Sequence, residues 1–303
     1  MYSRGNPENC GGYGMTKREW LADGLLLLTA LIWGSAFAVV KNTLDSFPPS
    51  AIIAMRYAVG TALTAVMFRK HLRGLTRGDY LRSALLGVLL CTAYIVQTIG
   101  LQYTTAGKNA FLTAVYVLLV PLGCFALFRE RLRAGTLAAA AMMLLGIGLL
   151  SLDGQSGGLN KGDVLTLVSG VFYAAHIIAV ERCQKKSNPY ALIVLQFAVT
   201  AVLASGSWLV FERDIALSFS AESVGGLLYL AVFSTTIAMS LQNIGQSMAP
   251  SSHASILLSL ESVIGAAFSC LLLGERLSPR MALGFAVIFA ALLVNQIGEK
   301  KTQ

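Results

Sequence analysis

The sequence predicts an all-α integral membrane protein, with ten transmembrane helices arranged as two inverted five-helix repeats around a central cavity. Three observations carry this. The 303-residue chain is 55% hydrophobic and only 13% charged, with a mean hydropathy of +0.67, whereas a soluble domain carries about 25% charged residues. The apolar residues come in continuous runs near the ~20 needed to cross a bilayer, without the alternation of barrel strands. Finally, the chain repeats itself. Pro49, Ala51, Ile53, Ala58, Val59 and Leu63 recur 140 residues later as Pro189, Ala191, Ile193, Ala198, Val199 and Leu203. Farther on the offset is 145: Gln97, Ile99 and Gly100 recur as Gln242, Ile244 and Gly245, and Glu130, Arg131 and Leu132 as Glu275, Arg276 and Leu277. Each half holds five apolar runs. Five is odd, so the second half enters the membrane from the opposite side, a common plan for secondary transporters.

The elements follow in order. Residues 1–20 are rich in Gly and Asn and read as a disordered tail, with Met15 before Thr16, Lys17 and Arg18 as an alternative start. The first run, 24–40, contains Ala36, Phe37 and Ala38, which resemble a signal-cleavage site. The run is long, however, and its Trp33 aligns with Tyr173 of an internal run, so it is read as a permanent helix. Runs 49–68, 83–103, 110–128 and 134–152 complete a first repeat over 21–152. A connecting loop covers 153–163. The runs 164–180, 190–211, 224–248, 254–273 and 281–297 form a second repeat over 164–298, and 299–303 is a tail. The close third and fourth runs, and the close eighth and ninth, are split at equivalent repeat positions, which supports both splits.

Of the 23 Lys and Arg residues, Arg56 lies inside a span. Six (Lys41, Lys108, Lys161, Arg213, Arg276 and Arg280) fall on one side, and the other sixteen fall on the side of the two termini. This bias places both termini in the cytoplasm and the protein in the inner (plasma) membrane. The net charge of +8 therefore serves topology. No basic patch interleaved with aromatics is present, and nucleic acid is not an expected partner. The five cysteines have no CxxC or metal spacing and read as small hydrophobes.

The run Ile32-Trp33-Gly34-Ser35-Ala36-Phe37 resembles the EamA-type transporters of the bacterial drug/metabolite transporter (DMT) superfamily. So do Pro121 with Leu127-Phe128-Arg129-Glu130-Arg131-Leu132, and the copy Leu273-Gly274-Glu275-Arg276-Leu277. The resemblance covers residues 20–298. It implies a cavity lined by helices one to four and six to nine, with five and ten peripheral, and the export of amino acids or related metabolites. Pro121, the family's fourth-helix proline, is the hinge candidate. Its repeat partner is Ala266, so an asymmetric hinge is expected.

Charged groups in the hydrocarbon core are the sharpest functional signals, since each costs roughly 2.5–3.5 kcal/mol on insertion scales. Only Arg56 and Glu261 lie well inside spans, each seven residues or ~10 Å deep. Arg56 aligns with Gln196 and Glu261 with Tyr116, so all four equivalent places are polar. Gln97 and Gln242 form another symmetric pair, which can equally serve interhelical hydrogen bonding. Trp33, Phe37, Tyr94, Tyr116, Phe172 and Tyr173 can line an aromatic cavity, and tyrosine hydroxyls at this depth need partners. The expected substrate-binding set is Trp33, Arg56, Tyr94, Gln97, Tyr116, Tyr173, Gln196, Gln242 and Glu261, with Glu261 also the coupling candidate. His176 reads as a packing histidine and His253 as a capping or surface group. Glu130 and Glu275 read as local partners of arginines at the membrane surface. Ala282, Ala286 and Ala290 form a small-residue face, suited to packing within the monomer or to a homodimer.

These residues suit a secondary transporter that works by alternating access and exports a small amphipathic metabolite such as an amino acid. Arg56 would engage a carboxylate, Glu261 an ammonium group or a proton, and the aromatics the apolar body. The expected partners are a small-molecule solute and the bilayer. No Walker A motif, HExxH or cluster of acids is present, so neither an ATP-driven pump, a metal site, a cofactor nor an enzyme is expected. Direction is open, because an importer or facilitator would share the same pattern.

Overall fold

The computed structural model describes residues 16–130, 134–151, 159–275 and 278–300. Among these residues every regular element is helical, and eight helical stretches are long and apolar enough to cross a membrane. The helices are α1 (Lys17–Thr43), α2 (Pro49–Met67), α3 (Arg77–Tyr103), α4 (Ala106–Thr113), α5 (Tyr116–Phe128) and α6 (Ala134–Ser151). They continue as α7 (Lys161–Gln184), α8 (Pro189–Ser207), α9 (Ala221–Tyr229), α10 (Met239–Gln246), α11 (Ser251–Leu258), α12 (Leu260–Leu273) and α13 (Pro279–Lys300). α4 and α5 act as one broken rod, as do α11 and α12, and a π-helical stretch over Leu230–Ala238 joins α9 to α10. α6 and α13 hold the shorter apolar stretches Ala138–Leu149 and Pro279–Ala291 and pack against each other.

Local chemistry sets the helix ends. Thr16 opens α1 with a capping box: its hydroxyl accepts from the Glu19 N–H, and the Glu19 carboxylate accepts the Thr16 N–H at 2.7 Å. Residues 17–20, expected in the disordered tail, are therefore helical; residues 1–15 lie outside the described residues. Thr76 with Asp79 and Asn160 with Asp163 open α3 and α7 the same way. Proline stands at the first turn of both α2 and α8, where its missing N–H costs nothing. α5 and α12 both end on a left-handed residue, Arg129 (φ 57°) and Gly274 (φ 63°), and these are repeat equivalents. Arg131, Leu132, Arg276 and Leu277 of the duplicated Glu-Arg-Leu motif lie outside the described residues.

The two halves interlock. α3 packs on α7, α1 on α10 and α12, and α2 on α8. Small residues allow this closeness: a Cβ on Gly34 of α1 would stand 2.5 Å from Ile264 Cγ2 of α12, and one on Gly265 would stand 2.7 Å from Ala110 Cβ of α4. Without a hydrophobic drive between helices in lipid, such close packing carries the association. The outward faces expose large apolar side chains such as Val66, Val202 and Leu271, which suits hydrocarbon.

Pro121 sits inside α5, and the interruption of its rod lies earlier, at Ala114 and Val115. The second rod breaks at Ser259, the repeat equivalent of Ala114. Both breaks fall just before the residues that meet at the centre, Tyr116 and Glu261. Ser259 breaks its rod without a proline, its hydroxyl bonding the Ile256 carbonyl at 2.6 Å and competing with the helix ladder.

Candidate central cavity

A cavity between the halves holds about 670 Å³ of empty space, its open mouth included. Trp33, Arg56, Tyr94, Gln97, Tyr116, Tyr173, Gln242 and Glu261 all line it, as do Phe37 and His176. Gln196 does not. It is buried behind His176, bonding that ring's Nε2 at 2.9 Å and donating to Asn243 Oδ1 at 3.1 Å. Its repeat partner Arg56 faces the cavity because two hydroxyls hold it there.

Arg56 is 1% exposed. Its Nε donates to Thr235 Oγ1 at 2.6 Å and its Nη2 to Ser234 Oγ at 2.8 Å. Both acceptors sit on the π-helical stretch, whose wider turn accompanies the Thr236 hydroxyl bond to the Ala231 carbonyl at 2.8 Å. The guanidinium lies 4.9 Å from the Tyr94 ring centroid and 5.7 Å from that of Tyr57, a cation–π arrangement that partly offsets desolvation. Among the described residues no carboxylate lies within 4 Å of it. A guanidinium has five N–H donors; two are engaged, and Nη1 has no protein partner among the described residues.

Glu261 opens the first turn of α12, is 4% exposed, and accepts from the Tyr116 hydroxyl at 3.1 Å. The repeat equivalents therefore touch at the centre. Tyr94 and Met239, also 145 residues apart, meet in the same way, with the hydroxyl 3.9 Å from the sulfur. Both ends of the Gln97 amide are engaged: its Oε1 accepts from Tyr173 at 2.7 Å, and its Nε2 donates to Thr113 at 2.9 Å. At Gln242 the equivalents of those partners are Trp33 and Leu258, which offer no hydroxyl. The Gln242 Oε1 is accordingly buried without a partner among the described residues. Trp33 instead donates its indole N–H to the Ser234 carbonyl at 3.0 Å.

Two helix-end acids have partners on distant helices. Glu275 accepts the N–H groups of Ala106 and Gly107 at 2.8 and 3.1 Å, closing the N-terminus of α4. Glu130 pairs with Arg182 of α7. His253 bonds Asp23 at 2.7 Å.

The sequence profile of the EamA-like transporter family matches residues 20–152 and again residues 160–296. The chain belongs to the EamA-like transporter family. It is 34% identical over 286 residues to an uncharacterized transporter of Archaeoglobus fulgidus, covering 94% of this chain and 89% of that one. It is 26% identical to a probable amino-acid metabolite efflux pump of Escherichia coli K12, covering 91% and 95% of the two chains. A crystal structure 18% identical superposes with a TM-score of 0.72 over 93% of this chain and 99% of that chain, which places the fold. With its apolar helices, this makes the chain a multi-pass membrane transporter of the DMT superfamily. The names of its relatives point to transport and not to enzymes.

Sequence reading missed Asn109, Thr113 and Ser234, which line this EamA-family cavity, and Thr235, which holds Arg56. Asn109 is buried and donates to Thr166 at 2.7 Å, and its Oδ1 has no partner among the described residues. The available signal was the hydroxyl run Ser234-Thr235-Thr236 in mid-span, where the first half has Leu89, Leu90 and Cys91.

Proposed function

We propose that this chain is a secondary active exporter of a small zwitterion, an amino acid or a close relative, working by alternating access. Its ten helices form two inverted repeats over 21–152 and 164–298, with both termini in the cytoplasm of a cell bounded by this inner (plasma) membrane. The observation that carries the reading is the Arg56 guanidinium, buried in an aromatic cavity with no carboxylate partner, and no partner for Nη1, among the described residues. A buried cation of this kind is costly unless something pairs with it, and a solute carboxylate matches its planar donor fork. Glu261 takes the ammonium group or the coupling proton, since a carboxyl in low dielectric gains from protonation or a cationic partner. Trp33, Tyr94 and Tyr173 pack on the apolar body of the solute. The E. coli relative's name favours amino-acid efflux as the direction and class. The repeated pairing of first-half on second-half helices, with Tyr116 on Glu261 and Tyr94 on Met239, supports a two-fold arrangement in which the halves exchange roles.

The test is reconstitution in proteoliposomes with a panel of amino acids, their amides and uncharged metabolites, with and without an imposed pH gradient. Gradient-dependent movement of amino acids supports the reading. Movement of none of them, or equal movement of acids and amides, overturns it.

A further inference from the structure

The rod from α9 to α10 is the repeat counterpart of α3, and the repeat offset changes within it. The N-caps Thr76 of α3 and Ser220 of α9 stand 144 residues apart, as do the buried Leu86 and Leu230, and Val88 and Val232. Ala93 and Ala238, and Gln97 and Gln242, stand 145 apart. Five residues therefore lie between Val232 and Ala238, where the first half has four between Val88 and Ala93. The second half carries one residue more in mid-span. That residue falls in the π-helical stretch Leu230–Ala238, whereas α3 is α-helical from Arg77 to Tyr103.

The threonine hydroxyls of the two rods show the same difference. Thr92 of α3 donates to the Val88 carbonyl, four residues back, at 2.9 Å. Thr236 donates to the Ala231 carbonyl, five residues back, at 2.8 Å. An extra residue in an α-helix would turn everything beyond it by about 100° and carry the buried face away from its neighbours. A π turn absorbs the residue instead. The packing beyond it keeps its register. A Cβ on Gly245 would stand 2.9 Å from Leu26 Cγ of α1, and one on the equivalent Gly100 would stand 3.0 Å from Thr166 Oγ1 of α7, the counterpart of Leu26.

The widened turn delivers two hydroxyls to Arg56. Ser234 and Thr235 both lie between Val232 and Ala238, take Nη2 and Nε, and leave Nη1 without a partner among the described residues. Among the described residues no α3 side chain bonds Gln196, the counterpart of Arg56, whose amide turns to His176 and Asn243.

We propose that this one-residue insertion is the specificity element of the cavity. Its π turn sets Ser234 and Thr235 on the two engaged nitrogens of Arg56 and so presents Nη1 to the solute's carboxylate. Ser234, Thr235 and Thr236 are positioning residues, acting through Arg56. The carboxylate part rests on the zwitterion reading above; the insertion and its hold on Arg56 do not.

Deleting Thr236 removes the spare residue, and deleting Thr92 makes the same change in α3, where none is spare. The first variant unfolds close to the parent; the second unfolds far below it or fails to fold. Equal destabilisation by the two deletions overturns the insertion. The hold is read by NMR on protein carrying isotope-labelled arginine, with the Nε–H of Arg56 identified by its loss in Arg56→Gln. Bound to Thr235, this proton exchanges slowly with water. Deleting Thr236, or Thr235→Val at full length, speeds the exchange about fivefold or more, the loss of one neutral hydrogen bond, and Thr235→Ser keeps the protection. A parent without a protected signal, or protection that survives the deletion, overturns the proposal. Binding of an amino acid that the proteoliposome panel identifies is then compared with binding of its amide. The deletion and Thr235→Val each weaken the acid about tenfold, as for one bond to a charged group, and the amide less. Equal losses for acid and amide deny the turn a role in specificity. A panel that yields no amino acid sinks the zwitterion reading, and the exchange measurement still decides whether the insertion holds Arg56.

Discussion

Replacing Arg56 by glutamine tests whether the buried cation serves the solute. The guanidinium is 1% exposed and its engaged donors go to neutral hydroxyls. Its attraction to a solute carboxylate is therefore not screened as a surface pair would be. A hydrogen bond to a charged group contributes about 1.5–3 kcal/mol net, and each 1.4 kcal/mol is tenfold in affinity, so losing one such bond weakens binding of the acid roughly 10- to 150-fold. The corresponding amide loses only a neutral bond of about 1 kcal/mol, or roughly fivefold. Purified Arg56→Gln is compared with the parent for both ligands by calorimetry in detergent, with thermal unfolding measured alongside. The expected result is a selective loss for the acid with unfolding little changed, because glutamine still reaches a hydroxyl and no buried carboxylate is left unpaired. If Arg56 instead neutralised Glu261, each single variant would be destabilised, and Arg56→Gln with Glu261→Gln would recover stability. Equal loss for acid and amide, together with that recovery, would refute the carboxylate site.

Glu261→Gln is expected to fold, keeping the Tyr116 contact through its amide oxygen, and to lose pH-gradient-driven accumulation; normal gradient dependence in proteoliposomes would make the carboxyl structural. Gly34→Leu is expected to cost about 1–3 kcal/mol or more by overpacking against Ile264, read as a lowered unfolding temperature, while Gly24→Ala, which meets nothing within 4 Å, leaves it within about a degree or raises it slightly. Glu275→Gln removes a carboxylate from the α4 N-terminus and is expected to cost about 0.5–2 kcal/mol, measured by the same unfolding assay; an unchanged midpoint would deny the cap any weight. Reporter tags at residue 75 and at Gln303 are expected to face the cytoplasm and one near Asn160 the outside, and external labelling of residue 75 in sealed cells would overturn the orientation.

The class of fold was legible because hydrocarbon solvent is demanding. Each spanning segment must be apolar and hydrogen-bonded within itself, so hydropathy reads out the helices, and Thr16, Thr76 and Asn160 mark three of their starts. The centre was legible for a related reason. Burying Arg56 and Glu261 in lipid-depth helices is too costly to be incidental, and alignment of the two halves paired Glu261 with Tyr116 before the coordinates put them in contact. What stayed hidden depended on rotation about helix axes. Gln196 occupies the position equivalent to Arg56 and is just as deep, yet His176 and Asn243 turn it into a packing network. Asn109 and Ser234 are neutral and short, and nothing in their sequence neighbourhoods separates a lining residue from a satisfied interhelical one. The rod breaks at Ala114 and Ser259 were masked by Pro121, the obvious helix breaker, which is instead carried inside α5.

Under the proposed function, the departures from symmetry account for how duplicated halves would hold a zwitterion in one orientation. Exact two-fold equivalence would place identical groups on both sides of the centre, and a zwitterion would meet two cations or two acids. Here the equivalent positions have diverged in charge: arginine against glutamine at 56 and 196, tyrosine against glutamate at 116 and 261. One cation and one carboxyl therefore line a single cavity, each derived from a different half. The same divergence frees Gln242, because the partners that lock Gln97 are replaced by Trp33 and Leu258. Under the proposed function, the repeat supplies the scaffold, and the divergent pairs supply the charges that would give the zwitterion one orientation within it. Restoring equivalence at one pair, as Gln196→Arg would do, puts a second cation where the His176 and Asn243 network now sits. Like charges sharing one low-dielectric interior repel, so this variant bears on the synthesis directly. It should destabilise the protein more than Arg56→Gln does, and a more stable Gln196→Arg variant would show that the divergence carries no such role.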